Sequence, residues 1–182
     1  MAATRAYLIP VQEMTPGQAT SIRERAIDEG LAEASAKLKM PVGELVARDI
    51  LPDEDLDYAT HGWHELTGTT RDIYETMCQG SETGGVIKNN RFLVIFGVND
   101  LSESMSVSAL KFNFGGADRA IWNLENLYSA NGGPRVGITP FAVMIPQNIP
   151  LTVSRYVEHT AVPAHIVLRG VTIEPRGKVI SP

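Results

Sequence analysis

The sequence predicts a mainly β protein, a β-sandwich or barrel, with an N-terminal helical segment. Three observations carry this. Residues 136–181 hold three apolar-alternating runs separated by Pro, Asn and Gly, the pattern of antiparallel strands with one buried face. Residues 91–98, RFLVIFGV, are almost continuously apolar, which fits a strand buried on both faces. Between residues 16 and 39, Ile22, Ala26, Ile27, Leu31, Ala34 and Leu38 recur at helical spacing, with Arg23, Glu24, Glu33 and Lys37 on the other faces.

From the N-terminus, residues 6–11 are expected to form a short strand, with Pro10 at an edge or an end. Thr15 and Pro16 then start a helix as N-cap and first helical residue, where the missing Pro N–H costs little. Gly30 interrupts the helical stripe and marks a kink or a break. Pro41 opens a further helical turn through Val46, and Pro52 ends it. Residues 52–58, PDEDLDY, read as a solvated acidic connection. Their Asp-x-Asp spacing invites calcium, but the Gly and terminal Glu of an EF-hand loop are missing.

Residues 63–77 mix strand and helix signals, and residues 80–90 form a loop around Gly84 and Gly85. A strand over 106–114 follows a turn at Asn99-Asp100 and stops at Gly115-Gly116. Residues 118–128, DRAIWNLENLY, fit a helix better than a strand, with Asp118 as N-cap. The break at 131–134, NGGP, precedes strands over 136–145, 151–158 and 165–173. The organisation expected is a strand or arm plus helical segment over 1–58, and a β-domain over 59–182, packed as one unit. Its core is expected to contain Phe92, Val94, Phe96, Phe112, Trp122, Val143, Ile145, Val153, Ile166 and Leu168.

A chain of 182 residues can bury a substantial core without disulfides or metal. The single cysteine, Cys78, allows no internal disulfide and is expected as a small apolar filler. A net charge of −5 argues against a generally nucleic-acid-binding surface. The first apolar run is short and broken by Pro10, unlike a signal peptide, and no run approaches the roughly 20 residues of a membrane span. Synthesis and folding in a cytoplasm is the corresponding expectation.

The densest group of chemistry-bearing residues is His61-Gly62-Trp63-His64-Glu65. Two imidazoles and a carboxylate can ligate zinc or iron, so His61, His64 and Glu65 are the candidate metal ligands. They would serve a metal-dependent, cupin-like β-barrel enzyme, with His159 or His165 in support. The spacing is not His-Glu-x-x-His, and Gly62 weakens a helix that would aim both rings. The competing expectation is a loop anchored by Trp63 with its histidines at the surface and no cofactor. His159 and His165 flank one inter-strand turn and would form a pH-sensitive pair if close in space. Residues 31–50 also admit a helix-turn-helix DNA-binding regulator using Lys39 and Arg48, with Lys37 nearby. Such sparse positive charge, beside Glu44 and Asp49, would give weak phosphate affinity. No nucleophile elbow, P-loop or dinucleotide fingerprint occurs.

The strand-turn phrases VMIPQNIPLTVSRYV and HIVLRGVTIEPRG resemble the C-terminal strands of small viral and phage structural proteins. The nearest analogy is the small single-jelly-roll major capsid protein of tailless, membrane-containing icosahedral viruses. The resemblance covers the last half of the chain. It implies a jelly-roll-like β-sandwich and a non-enzymatic structural protein of the virion capsid, synthesised in a host cytoplasm. The implied partners are copies of itself and a second coat protein, in a homo- or hetero-oligomer. The family setting implies no direct nucleic-acid contact, and proximity to a viral membrane without a membrane span. Residues 6–11, the helical segment and the tail 178–182 are the candidate arms for such contacts.

Overall fold

A computed structural model describes residues 3–60, 62–129 and 135–177. Two five-stranded sheets pack face to face as a β-sandwich, and one long helix lies against the outside of one of them. The chain enters as β1 (Thr4–Tyr7), which pairs in parallel with the later strand β7 (Ala117–Asn123). Leu8, fully buried, crosses to the other sheet, where β2 (Ile9–Pro10) pairs with β8 (Val136–Ile145). The single strand expected over 6–11 is therefore two short ones, because the chain changes sheets at Leu8. Gly137 permits this crossing, since a Cβ there would sit 2.7 Å from Leu127 and 2.8 Å from Leu8.

Helix α1 (Pro16–Leu38) starts as the sequence predicts. Thr15 and Gln18 form a reciprocal capping box, Pro16 takes the first turn, and Lys39 closes the helix in the left-handed conformation at φ 56°. Gly30 does not break it, and the helix runs unbroken to Leu38. Ala26, Gly30 and Ala34 form a buried small-residue line one turn apart, flanked by Ile22, Ile27, Leu31 and Leu38. This line brings the helix axis close to the sheet.

The expected helical turn through Val46 is a correction. A short 3₁₀ turn (Val42–Glu44) leads into strand β3 (Leu45–Asp49), because the Val46, Ala47 and Arg48 backbone pairs with β10 (Ile166–Pro175). No second helix follows the turn, so the helix-turn-helix geometry is absent over 31–50. Residues 52–58 also differ from expectation. They hold a short helix, α2 (Pro52–Asp55), with Pro52 and Asp55 buried. The remaining strands are β4 (Tyr74–Gln79), β5 (Phe92–Asp100), β6 (Val107–Phe114) and β9 (Leu151–Val157). The predicted turn at Asn99-Asp100 is instead the end of β5. Asp100 is buried and accepts hydrogen bonds from the Ser102 N–H at 2.9 Å and from the Tyr128 hydroxyl. The predicted helix over 118–128 is strand β7 followed by the short helix α3 (Glu125–Ser129). Ala120 and Trp122 face inward with period two, and Leu124 and Leu127 then continue the core from the turn and the short helix.

One sheet reads β1-β7-β6-β9-β4 and the other β2-β8-β5-β10-β3. All ten residues expected in the core are buried, but they serve two different layers. Phe112, Trp122, Val143, Ile145, Val153, Ile166 and Leu168 pack between the sheets. Phe92, Val94 and Phe96 pack beneath α1. Strand β5 is thus apolar on both faces because its inner face meets the first sheet and its outer face meets the helix. The outer face of the β1–β4 sheet carries no such helix among the described residues.

Candidate functional site

His61 lies outside the described residues. His64 and Glu65 are exposed on the extended stretch before the Leu66–Ala164 bridge, and His64 packs edge-on against Tyr58 at 4.7 Å. Tyr58 also packs edge-on against Trp63 at 5.1 Å, so Trp63 anchors this loop as expected. Among the described residues, no group of three or more His, Cys, Asp and Glu side chains stands close enough to hold a metal. His159 is exposed, and the His165 backbone is bound to Leu101 and to the Ser102 hydroxyl. Cys78 is buried in the inter-sheet core, and burial pushes its thiol well above the ordinary range.

Polar chemistry concentrates instead in a buried ionic knot that the sequence reading missed. Val171 and Ile173 of β10 face α1, so Thr172 and Glu174 alternate to the inner face. There they meet Arg48 from β3, Arg91 from just before β5, and Asp55 from α2. Asp55 accepts from Arg48 Nη1 at 2.7 Å and Nη2 at 2.9 Å, Arg91 Nη1 at 2.9 Å, the Thr172 hydroxyl at 2.8 Å and the Leu51 N–H at 2.9 Å. Glu174 accepts from Arg48 Nε at 3.0 Å and lies 3.5 Å from Arg91 Nε. Burial opposes the charge on Arg48, but Asp55 and Glu174 outweigh it and hold the guanidinium more firmly protonated than usual. Arg48, the cation on which DNA reading depended, is therefore engaged inside the fold.

A second knot closes the opposite sheet. Arg155 shares the inward face of β9 with Val153 and Val157, and donates to the carbonyls of Leu66 and Thr67 and to Glu75 Oε2 at 3.3 Å. Glu75 accepts from the Thr69 hydroxyl at 2.6 Å and from the Thr69 and Thr70 N–H groups at 2.7 Å each. The Thr69 hydroxyl, with these backbone donors and Arg155, holds the Glu75 carboxyl below its ordinary range. Burial pulls Arg155 down, against the pull of Glu75.

The surface feature that fold stability does not account for is on β8. Opposite β5, pairing jumps from Ile95–Val143 to Gly97–Ile138, so Thr139, Pro140, Phe141 and Ala142 bulge out of the ladder. The buried Thr139 hydroxyl accepts from the Phe141 N–H at 3.1 Å and fixes the bulge. Phe141 stands at its tip, 64% exposed, more than any other large apolar side chain among the described residues. Beside it opens a groove of about 550 Å³ whose apolar floor is Phe114, Trp122 and Met144, with Arg25, Glu29 and Arg119 on its rim. The strand β2 covers β8 only at Gly137 and Ile138, so the β8 edge beyond the bulge has no partner strand among the described residues.

No family model, no curated protein and no solved structure matches this chain.

Proposed function

We propose that the chain is a structural virion protein, a jelly-roll capsid subunit that assembles through contacts with copies of itself and with a second coat protein. The order of strand pairing carries this proposal. With β1 and β2 set aside, β3 pairs with β10, β4 with β9, β5 with β8, and β6 with β7, all antiparallel. That nesting is the pairing expected of one long hairpin rolled up into two four-stranded sheets, and it supports the double Greek key of a jelly roll. The interior supports a wall more than a reaction vessel. Phe112 and Trp122 pack as a tilted ring pair at 4.6 Å there, among Leu93, Ile95, Leu110, Ile145 and Val153, where a cupin-like enzyme would need a polar cavity.

The Phe141 bulge is the contact surface this proposal assigns. Knob and groove lie side by side on one face, which suits a two-fold contact in which each Phe141 enters the other copy's groove. The rim carries both signs, with Arg25 and Glu29 paired at 2.7 Å within α1, so Arg119 of one copy can face the Glu29 carboxylate of the other. Burying a Phe contributes about 1.5–3 kcal/mol per side. Light scattering across a concentration series tests it, using the full chain and Phe141→Asp. The mass of the parent should rise above that of a monomer, and the variant should stay monomeric with an unchanged melting temperature. Identical monomeric masses for both would end the proposal.

A further inference from the structure

The open face of the first sheet presents outward residues in two rows across its strands. One row runs Tyr7, Asn123, Ala109, Tyr156, Tyr74, and the next runs Arg5, Ile121, Lys111, Ser154, Thr76. Tyr7 is 60% exposed on the edge strand. Tyr74 is steadied from two sides, by an edge-on contact with Tyr156 at 5.2 Å and by Lys111 Nζ at 4.4 Å from its ring centre. Between the tyrosines the side chains drop to Ala109 and Ile121. A cleft of about 260 Å³ results, lined by Arg5, Tyr7, Tyr74, Ala109, Ile121 and Asn123. Tyr7 and Ala109 sit two strand spacings apart, about 9.6 Å, which leaves room for one ring beside an aromatic wall.

The cations on this face are not equivalent. Lys111 is 3.6 Å from Asp118, and Arg119 donates to the Phe114 carbonyl. Among the described residues, the Arg5 guanidinium has no hydrogen bond or ion pair, and Arg5 is exposed. The cleft therefore offers one available fork-shaped cation, aromatic walls and a shallow apolar floor, with Ser154 and Thr76 hydroxyls along the second row.

We infer that this cleft binds a sugar ring bearing a carboxylate, an acidic terminal saccharide. The apolar C–H face of the ring packs on tyrosine, as flat polar-edged groups do on aromatic walls. Its carboxylate takes the paired N–H donors of Arg5. A polynucleotide brings one phosphate per residue and draws its affinity from several cations at once. One unpaired guanidinium in this cleft, on a chain of net charge −5, suits a single negative charge instead. The site does not rest on the assembly proposal, since Phe141 lies outside it.

The test is amide chemical-shift titration of the full chain with sodium glucuronate, N-acetylneuraminate, glucose and a thymidine oligonucleotide. Saturable shifts at Ile121 and Asn123 are expected with at least one of the two acidic sugars, at a Kd of about 1–10 mM, with glucose weaker by about tenfold or more. Arg5→Ala and Tyr7→Ala should each weaken the acidic sugar about tenfold while keeping the parent melting temperature. The inference fails if neither acidic sugar saturates by about 50 mM, or if Arg5→Ala binds as the parent does. It fails equally if the oligonucleotide displaces the sugar at lower concentration.

Discussion

Gly30→Ala asks whether α1 is seated on the sandwich as described. On an exposed helix this substitution raises stability by about 1 kcal/mol, because Ala is the better helix former. Here a Cβ at residue 30 would lie 2.5 Å from Val94 Cγ2 and 3.2 Å from Ile173 Cδ1. Val94 is fully buried and, being β-branched, has little rotamer freedom with which to yield. Forcing a methyl group into such a site costs about 1–3 kcal/mol. The gain in helix propensity offsets part of this, leaving a net loss of up to about 2 kcal/mol. For a chain of this size, that lowers the melting temperature by up to about 8 °C. Urea unfolding followed by tryptophan fluorescence measures the loss directly. Gly17→Ala is the matched comparison, since nothing lies within 4 Å of a Cβ at that position. A Gly30→Ala protein more stable than the parent would refute the close approach of α1 to β5 and β10.

Other outcomes follow from the two knots and the buried thiol. Asp55→Ala takes from Arg48 and Arg91 their fully buried carboxylate partner, leaving Glu174 between them, and should cost about 3–5 kcal/mol in denaturant titration, whereas a solvated acidic loop would lose almost nothing. The Glu75 carboxyl is held below its ordinary value, so its contribution to stability is complete above the unfolded pKa of about 4.3 and is lost as pH falls through the lowered folded value. Urea midpoints of the parent should therefore fall more steeply than those of Glu75→Gln below that pH, and parallel curves would contradict the knot. Cys78 should resist a thiol reagent in the native protein and react only on unfolding, and prompt modification without loss of fold would show it is not in the core.

The strands of the last third were legible because Leu151, Val153 and Val157 alternate cleanly with Thr152, Ser154 and Tyr156, and one face of β9 is buried. The helix start at Thr15-Pro16 was legible because capping is local chemistry. Residues 117–129 misled because a two-residue period gives way at Leu124 to a helical turn, and the combined spacing imitates a helix. Gly30 misled because its reason is a neighbour more than 60 positions away, Val94. The Asp55 knot was invisible for the same cause: Arg48, Arg91, Thr172 and Glu174 come from separate strands, and four adjacent carboxylates do not reveal which one is buried. A sequence signal did exist, since Glu174 lies between Ile173 and Pro175 and Arg48 follows Leu45, Val46 and Ala47, where a charge needs a partner. The Phe141 bulge carried a comparable sign in Pro140, a residue that interrupts strand pairing.

Electron microscopy of the purified chain at high concentration, alone and mixed with a second coat protein, tests the assembly proposal most directly. Closed shells or ordered arrays that incorporate the chain are expected, and Phe141→Asp should abolish them. A chain that stays as single monomers at every concentration, and is left out of particles formed around it, would contradict the account.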